Sequence, residues 1–110
     1  MIVVGGGVHV HEGLKDAAIA ACREMEVPTQ AETGCISYKF YIGITDPNYL
    51  HVFEEWESDE ALDAHIRAPH TQLFLGKLAE CAAEAPIVTK YVVTSQVALL
   101  SSLIMKQNGK

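Results

Sequence analysis

The stretch EEWESDEALDAHIRAPH, residues 54–70, holds a carboxylate and an indole two residues apart, Glu54 and Trp56, and two histidines, His65 and His70. Residues two apart on a strand share a face, so Glu54 and Trp56 point the same way if this stretch opens as a strand. A carboxylate beside an indole is either a tuned base or an acid paired with a basic group or a backbone amide. Trp56 is the only tryptophan. Such a residue is more often core than ligand platform, though an aromatic wall is also what a flat substrate would need. His65 follows Ala61 by four residues and neighbours Leu62 and Ile66, which puts it near the buried face of a helix. There it is either a satisfied core histidine or a group that donates a hydrogen bond or takes a proton near neutral pH. His70 follows Pro69 at a break between helices, where it can cap or bond backbone groups.

Other chemistry finds less support. His9 and His11 share a face if the first segment is a strand, but no Asp, Glu or Cys stands near them at ligand spacing, so no metal is expected. There is no Gly-x-Ser-x-Gly elbow, P-loop or dinucleotide fingerprint. The glycine run 5–7 does not lead into a Gly-x-Gly-x-x-Gly pattern, so no nicotinamide or flavin cofactor is expected. The three cysteines, Cys22, Cys35 and Cys81, are odd in number and form no Cys-x-x-Cys pair. That disfavours a disulfide framework or zinc site and makes a reducing cytoplasm the simplest location. A net charge of −6 with only 8 Lys and Arg argues against nucleic acid or an anionic membrane as partner. The segment MIVVGGGVHVHEG lacks the basic start of a signal peptide. The apolar run VALLSSLIM, 97–105, is too short to span a bilayer.

The elements that must position these residues follow from periodicity. The chain's 110 residues, 49% hydrophobic, fit one domain with a single core. Residues 2–11 read as a strand interrupted by Gly5, Gly6 and Gly7, which mark a bulge, a frayed start or a close approach. Leu14, Ala17, Ala18, Ala21, Cys22 and Met25 follow helical spacing over 13–27, and Pro28 is expected to end that helix. Residues 35–42 and 49–56 read as a hairpin about the Asp46-Pro47-Asn48 turn. Ser58 is a good N-cap for a helix reaching about Pro69. A second helical stretch, about 71–84, carries Leu73, Phe74 and Leu78, and 87–94 reads as the last strand. The order is β-α-β-β-α-β, an α+β ferredoxin-like arrangement with an antiparallel sheet. Strands 49–56 and 87–94 are apolar on both faces (Leu50, Val52 and Phe53; Val88, Tyr91 and Val92). Helices cover one face only, so a homodimer packed sheet to sheet is expected. The run 97–105 is expected to pack on the partner or on the sheet edge.

The opening stretch resembles the signature of the antibiotic biosynthesis monooxygenase family: Glu-x-Trp-x-Ser, then Leu-x-x-His, then Pro-His. Upstream, ETGCISYKFY, with Gly34, Cys35 and Tyr38, resembles the family's second strand, and VHEGLKD, with Gly13, the end of its first. The resemblance covers about residues 2–94, which suggests a domain over 1–95 and an extension over 96–110. It implies a dimeric α+β barrel with a pocket between sheet and helices in each subunit. It further implies a monooxygenase that needs neither metal nor organic cofactor and oxidises a small aromatic substrate, a quinol or aromatic polyketide, with O2. On that reading His65, His70 and Glu54 are the catalytic candidates, and Trp56, Tyr38 and Phe74 bind substrate. The other reading is a non-catalytic ligand-binding or accessory dimer of the same fold. Haem-degrading relatives carry asparagine where this chain has Gly6 and tryptophan where it has His65, which disfavours haem degradation.

Overall fold

A computed structural model describes residues 1–107 of the chain. The first β-branched run forms β1 (Ile2–His9), which lies between two partners in a four-stranded antiparallel sheet. The strand order is β2-β3-β1-β4, with β2 at Cys35–Ile42, β3 at Tyr49–Trp56 and β4 at Ile87–Val92. Register decides what faces inward. Ile2 stands opposite Trp56 and Val92, Val4 opposite Glu54 and Lys90, and Gly6 opposite Val52 and Val88. Leu50, Val52, Glu54 and Trp56 are buried on alternate positions of β3, the period-two signature of a strand with one covered face. They meet Ala18, Ala21, Cys22 and Met25 of α1 (Lys15–Gln30), Leu62 of α2 (Asp59–Arg67) and Phe74 of α3 (Pro69–Cys81) in one core. The fold is therefore the ferredoxin-like α+β arrangement, with the second helical segment in two pieces.

Several boundaries differ from the sequence reading. Pro28 does not end α1, which runs on to Gln30. A proline deprives the carbonyl four residues earlier of its partner, and that residue, Glu24, is exposed to water. Met25 and Thr29 remain buried on either side of it, and the Gln30 side-chain amide donates to the Tyr38 carbonyl at 2.8 Å. Ser58 caps α2 as expected, accepting from the Ala61 amide at 3.2 Å. Ala68 is extended, as a residue before proline must be, and Pro69 opens α3 at its first position, where a missing N–H costs nothing. So α3 covers 69–81 instead of 71–84. Strand β1 stops at His9, which leaves His11 off the strand, and β4 stops at Val92.

The glycine run is a close approach. Gly6 has φ +150°, and a Cβ there would run into the Ile87 carbonyl and Val88 of β4; one on Gly7 would strike the Leu50 carbonyl and the Tyr49 ring. The sheet face away from the helices stays open in the single chain, with Tyr41, Phe53, Ile87 and Tyr91 exposed. The extension forms a short helix, α4 (Ser101–Gln107). Val97, Leu99, Leu100, Ile104 and Met105 are exposed, so these side chains do not pack on the chain's own sheet edge. Residues 108–110 of the extension lie outside the described residues. Among the described residues no helix is long and apolar enough to cross a membrane.

Gly6→Ala should lower unfolding free energy by about 1–3 kcal/mol, since it combines a disfavoured φ with a clash into β4. Gly13→Ala, whose added Cβ meets nothing within 4 Å, should stay within about 0.5 kcal/mol of the parent. Urea denaturation of the two variants checks both expectations.

Candidate active site

Between the covered sheet face and helices α2 and α3 lies a cavity of about 360 Å³, within the usual range for small-molecule sites. Its walls are mostly apolar, with Val4, Val8, Val52, Leu62, Phe74 and Leu78 among them. Gly6 and Gly7 line it with backbone alone. Four buried residues with polar groups also line it, Tyr38 from β2, Glu54 from β3, His65 from α2 and Thr71 from α3, and the exposed Lys90 of β4 stands at its edge.

The hydrogen bonds determine which of their atoms are free. The Trp56 indole N–H donates to Glu54 Oε1 at 2.9 Å, leaving Oε2 without a partner. His65 Nδ1 lies 2.8 Å from Glu32 Oε2, with Thr71 Oγ1 at 3.3 Å from the same nitrogen. A carboxylate can only accept, so Nδ1 carries the imidazole proton and Nε2 carries the lone pair. His65 Nε2, Glu54 Oε2 and the Tyr38 hydroxyl make no hydrogen bond among the described residues. The one sealed, orphaned side-chain atom among those residues is Thr29 Oγ1. The three free atoms therefore open into the cavity.

Burial sets their protonation. Desolvation raises the Glu54 carboxyl from 4.5 to about 7, overcoming the opposing pull of the indole N–H, and the nearby Glu32 charge adds to the rise. Desolvation likewise holds His65 below its ordinary 6.5, against the upward pull of Glu32, so the imidazole is neutral at pH 7. The buried Tyr38 phenol is pushed well above its usual range, first by desolvation and then by Glu54, and remains a donor. An apolar pocket thus presents one hydroxyl donor, one imidazole acceptor and one carboxyl poised near neutrality.

The other candidates fall elsewhere. Trp56 is wholly buried and lies outside the cavity lining. It backs His65, ring centroids 4.7 Å apart, and so supports the wall without offering a face to a ligand. The reason is its place at the end of β3, directly beneath α2. His70 does not line the cavity and caps nothing; its Nε2 meets Glu32 Oε2 at 2.9 Å. Phe74 lines the cavity as expected. Glu32 was missed, because it sits in the turn between α1 and β2 and reads as punctuation. The one signal for it was that the ETGCISYKFY segment begins there. Glu32, His65 and His70 bring three donor atoms within 4.8 Å of one another, a set able to hold a divalent cation. His9 and His11 do not form such a set: the two nitrogens of His9 face opposite ways, to Asp46 at 2.7 Å and Glu84 at 2.6 Å.

A family model described as antibiotic biosynthesis monooxygenase matches residues 1–77. The chain belongs to that family. Rv0793 of Mycobacterium tuberculosis is 35% identical over 75 residues, 68% of this chain and 73% of that protein. Its solved structure superposes with a TM-score of 0.82 at 27% identity, covering 88% of this chain and 98% of that one. An uncharacterised protein of Synechocystis, sll1783, is 34% identical over 92 residues, 84% of this chain. The chain spans 63% of that relative's length. A conserved protein from Methanosarcina mazei superposes with a TM-score of 0.79 at 29% identity, covering 82% of this chain and 89% of that one. In this family member the signature residues Glu54, Trp56 and His65 form one buried cluster.

The raised Glu54 pKa has a consequence for stability. Between pH 4.5 and about 7 the folded chain keeps a proton that the unfolded chain has lost. The folded state then binds more protons, so stability falls as pH rises through this window, by up to about 3 kcal/mol. Glu54→Gln keeps an acceptor for the indole and should remove this fall. Urea midpoints at about pH 5 and about pH 8 should lie closer together for the variant than for the parent.

Proposed function

We propose that the chain is a monooxygenase that oxidises a flat phenolic substrate, a quinol or aromatic polyketide, with O2 and without a metal or organic cofactor. The observation that supports this is the set of three unpartnered polar atoms in a mostly apolar, aromatic-sized cavity. For a quinol, one atom of O2 becomes a new ring hydroxyl, and the ring ends as the hydroxyquinone. The other atom leaves as water, and the substrate supplies all four electrons. The protein's part is to accept hydroxyl protons, hold the electron-rich anion and keep water away.

His65 Nε2 accepts a substrate hydroxyl, and Glu32 behind Nδ1 steadies the imidazolium that forms, the logic of an acid-supported histidine base. Glu54 is the second acceptor. A phenol near 10 stands about 3 units above a base at 7, an uphill transfer of about 4 kcal/mol. From an ordinary carboxylate at 4.5 the cost would be about 7.5 kcal/mol. Tyr38 donates to the resulting anion, and Phe74 packs against the ring. Purified protein should consume O2 when mixed with a panel of quinols and anthrones. Binding of those aromatics with no oxygen uptake would instead mark a non-catalytic accessory protein. With a turned-over substrate, His65→Ala should lower kcat by about 10²–10⁴, the usual loss for one positioned acid–base group, with circular dichroism unchanged. An unchanged rate would shift the role to Glu54.

We also propose that the active assembly is a homodimer joined through the open sheet face. Tyr41, Phe53, Ile87 and Tyr91 are exposed there, more aromatic and aliphatic surface than isolated residues account for. Strand β4 is exposed along its whole length, and the apolar tail beyond it offers further surface for a partner. An obligate interface of this kind buries on the order of 2,000 Å² or more. Light scattering at micromolar concentration should therefore give twice the chain mass of 12.0 kDa; a folded monomer would overturn this.

A further inference from the structure

Glu32 from the α1–β2 turn, His65 from α2 and His70 from the first turn of α3 converge on one point from three separate elements. Glu32 Oε2 lies 2.8 Å from His65 Nδ1 and 2.9 Å from His70 Nε2, and the three donor atoms fall within 4.8 Å of one another. We propose that this triad is a binding site for a divalent transition-metal ion of the zinc class, lying behind the cavity wall and separate from the substrate space. The proposal goes beyond the oxidation proposed above and does not depend on it.

The donor chemistry selects the ion. Two imidazoles and one carboxylate suit Zn²⁺, Co²⁺ or Ni²⁺, whereas Mg²⁺ and Ca²⁺ prefer oxygen throughout. Bond lengths of about 2.0–2.2 Å around tetrahedral zinc place donors about 3.3 Å apart. The two carboxylate–imidazole separations, 2.8 and 2.9 Å, are a little shorter than that figure and all three donors lie within 4.8 Å, so small side-chain torsions close the set. Three protein donors leave a position for water. The route in is from solvent: the His70 side chain is 33% exposed and that of Glu32 17%, against 5% for His65. Thr71 Oγ1, 3.3 Å from His65 Nδ1, is a further polar neighbour. The His9 cluster lacks this convergence, since its two carboxylates lie on opposite ring nitrogens.

Metal binding would change what the cavity sees. In the metal-free chain the His65 proton sits on Nδ1 and faces Glu32. Coordination takes the Nδ1 lone pair, so the proton moves to Nε2. The nitrogen facing the cavity then becomes a donor where it had been an acceptor. An ion outside the cavity thus reverses the hydrogen-bonding sense of a group inside it.

The test uses full-length, tag-free protein stripped with a chelator. Calorimetric titration with Zn²⁺ should show one saturable site per chain, and Co²⁺ should give a visible absorption band, while Mg²⁺ gives neither. The ¹⁵N shifts of His65 should change from the Nδ1–H to the Nε2–H tautomer at one equivalent of Zn²⁺. Removing a ligand costs at least what loss of an outer partner costs, on the order of 10–100-fold in affinity. His70→Ala, at a partly exposed position that leaves the core intact, and Glu32→Gln should each weaken binding by that much, and His9→Ala should not. The proposal fails if no one-per-chain binding occurs, if folded His70→Ala binds unchanged, or if His9→Ala abolishes binding.

Discussion

The contact on which the site depends is the buried one among Glu54, Trp56 and His65. Trp56 sits fully enclosed at the end of β3, gives its single N–H to Glu54 and lays its ring against His65. A buried indole without a partner would forfeit about 1–3 kcal/mol, and a buried carboxyl without one would be worse off. Each group answers the other's need. The arrangement also spans two elements, since Glu54 and Trp56 lie on the sheet and His65 on α2. Strand, helix and polar atoms are therefore positioned together, and the free atoms that remain are those facing the cavity.

Part of the cavity floor is the bare backbone of β1 at Gly6 and Gly7. The sheet register places Gly6 opposite Val52 on one side and Val88 on the other. Strand β4 comes so near Gly6, and β3 so near Gly7, that a side chain cannot be accommodated at either. The strand remains paired while its middle contributes no bulk. Helices α2 and α3, broken apart at Ala68 by Pro69, then bridge over this thin part of the sheet. The same break starts α3 where His70 can turn toward Glu32.

Two carboxylates of the site live in different surroundings. Glu54 faces apolar walls and titrates near 7. Glu32 lies closer to solvent and holds two histidines by one oxygen. Carboxyls in such unequal environments are suited to different tasks: on the proposed reading Glu54 is a proton acceptor within reach of neutrality and Glu32 a fixed anchor for imidazole. His65 stands between them, with one nitrogen on the anchor and the other in the cavity.

Much of the frame is local and was legible in the chain. Alternation along 49–56, the Asp46-Pro47-Asn48 turn, helical spacing from Leu14 to Met25 and the Ser58 cap all act within a few residues, and the β-α-β-β-α order follows from them. The family signature in residues 54–70 was likewise a matter of adjacent letters. Pro28 misled, because whether a proline stops a helix depends on whether water can serve the carbonyl it orphans and on what pins the next turn. Trp56 misled for a similar reason: spacing shows that it shares a face with Glu54 but not that α2 lies directly over it. Glu32 and His65 are 33 residues apart, and no local pattern joins them. The sequence by itself determined the elements, their order and the residue types available to a site. The tertiary structure alone decided which nitrogen of His65 is free, how far burial raises Glu54, and that a turn carboxylate stands behind the histidine, because each depends on desolvation and distance between segments remote along the chain.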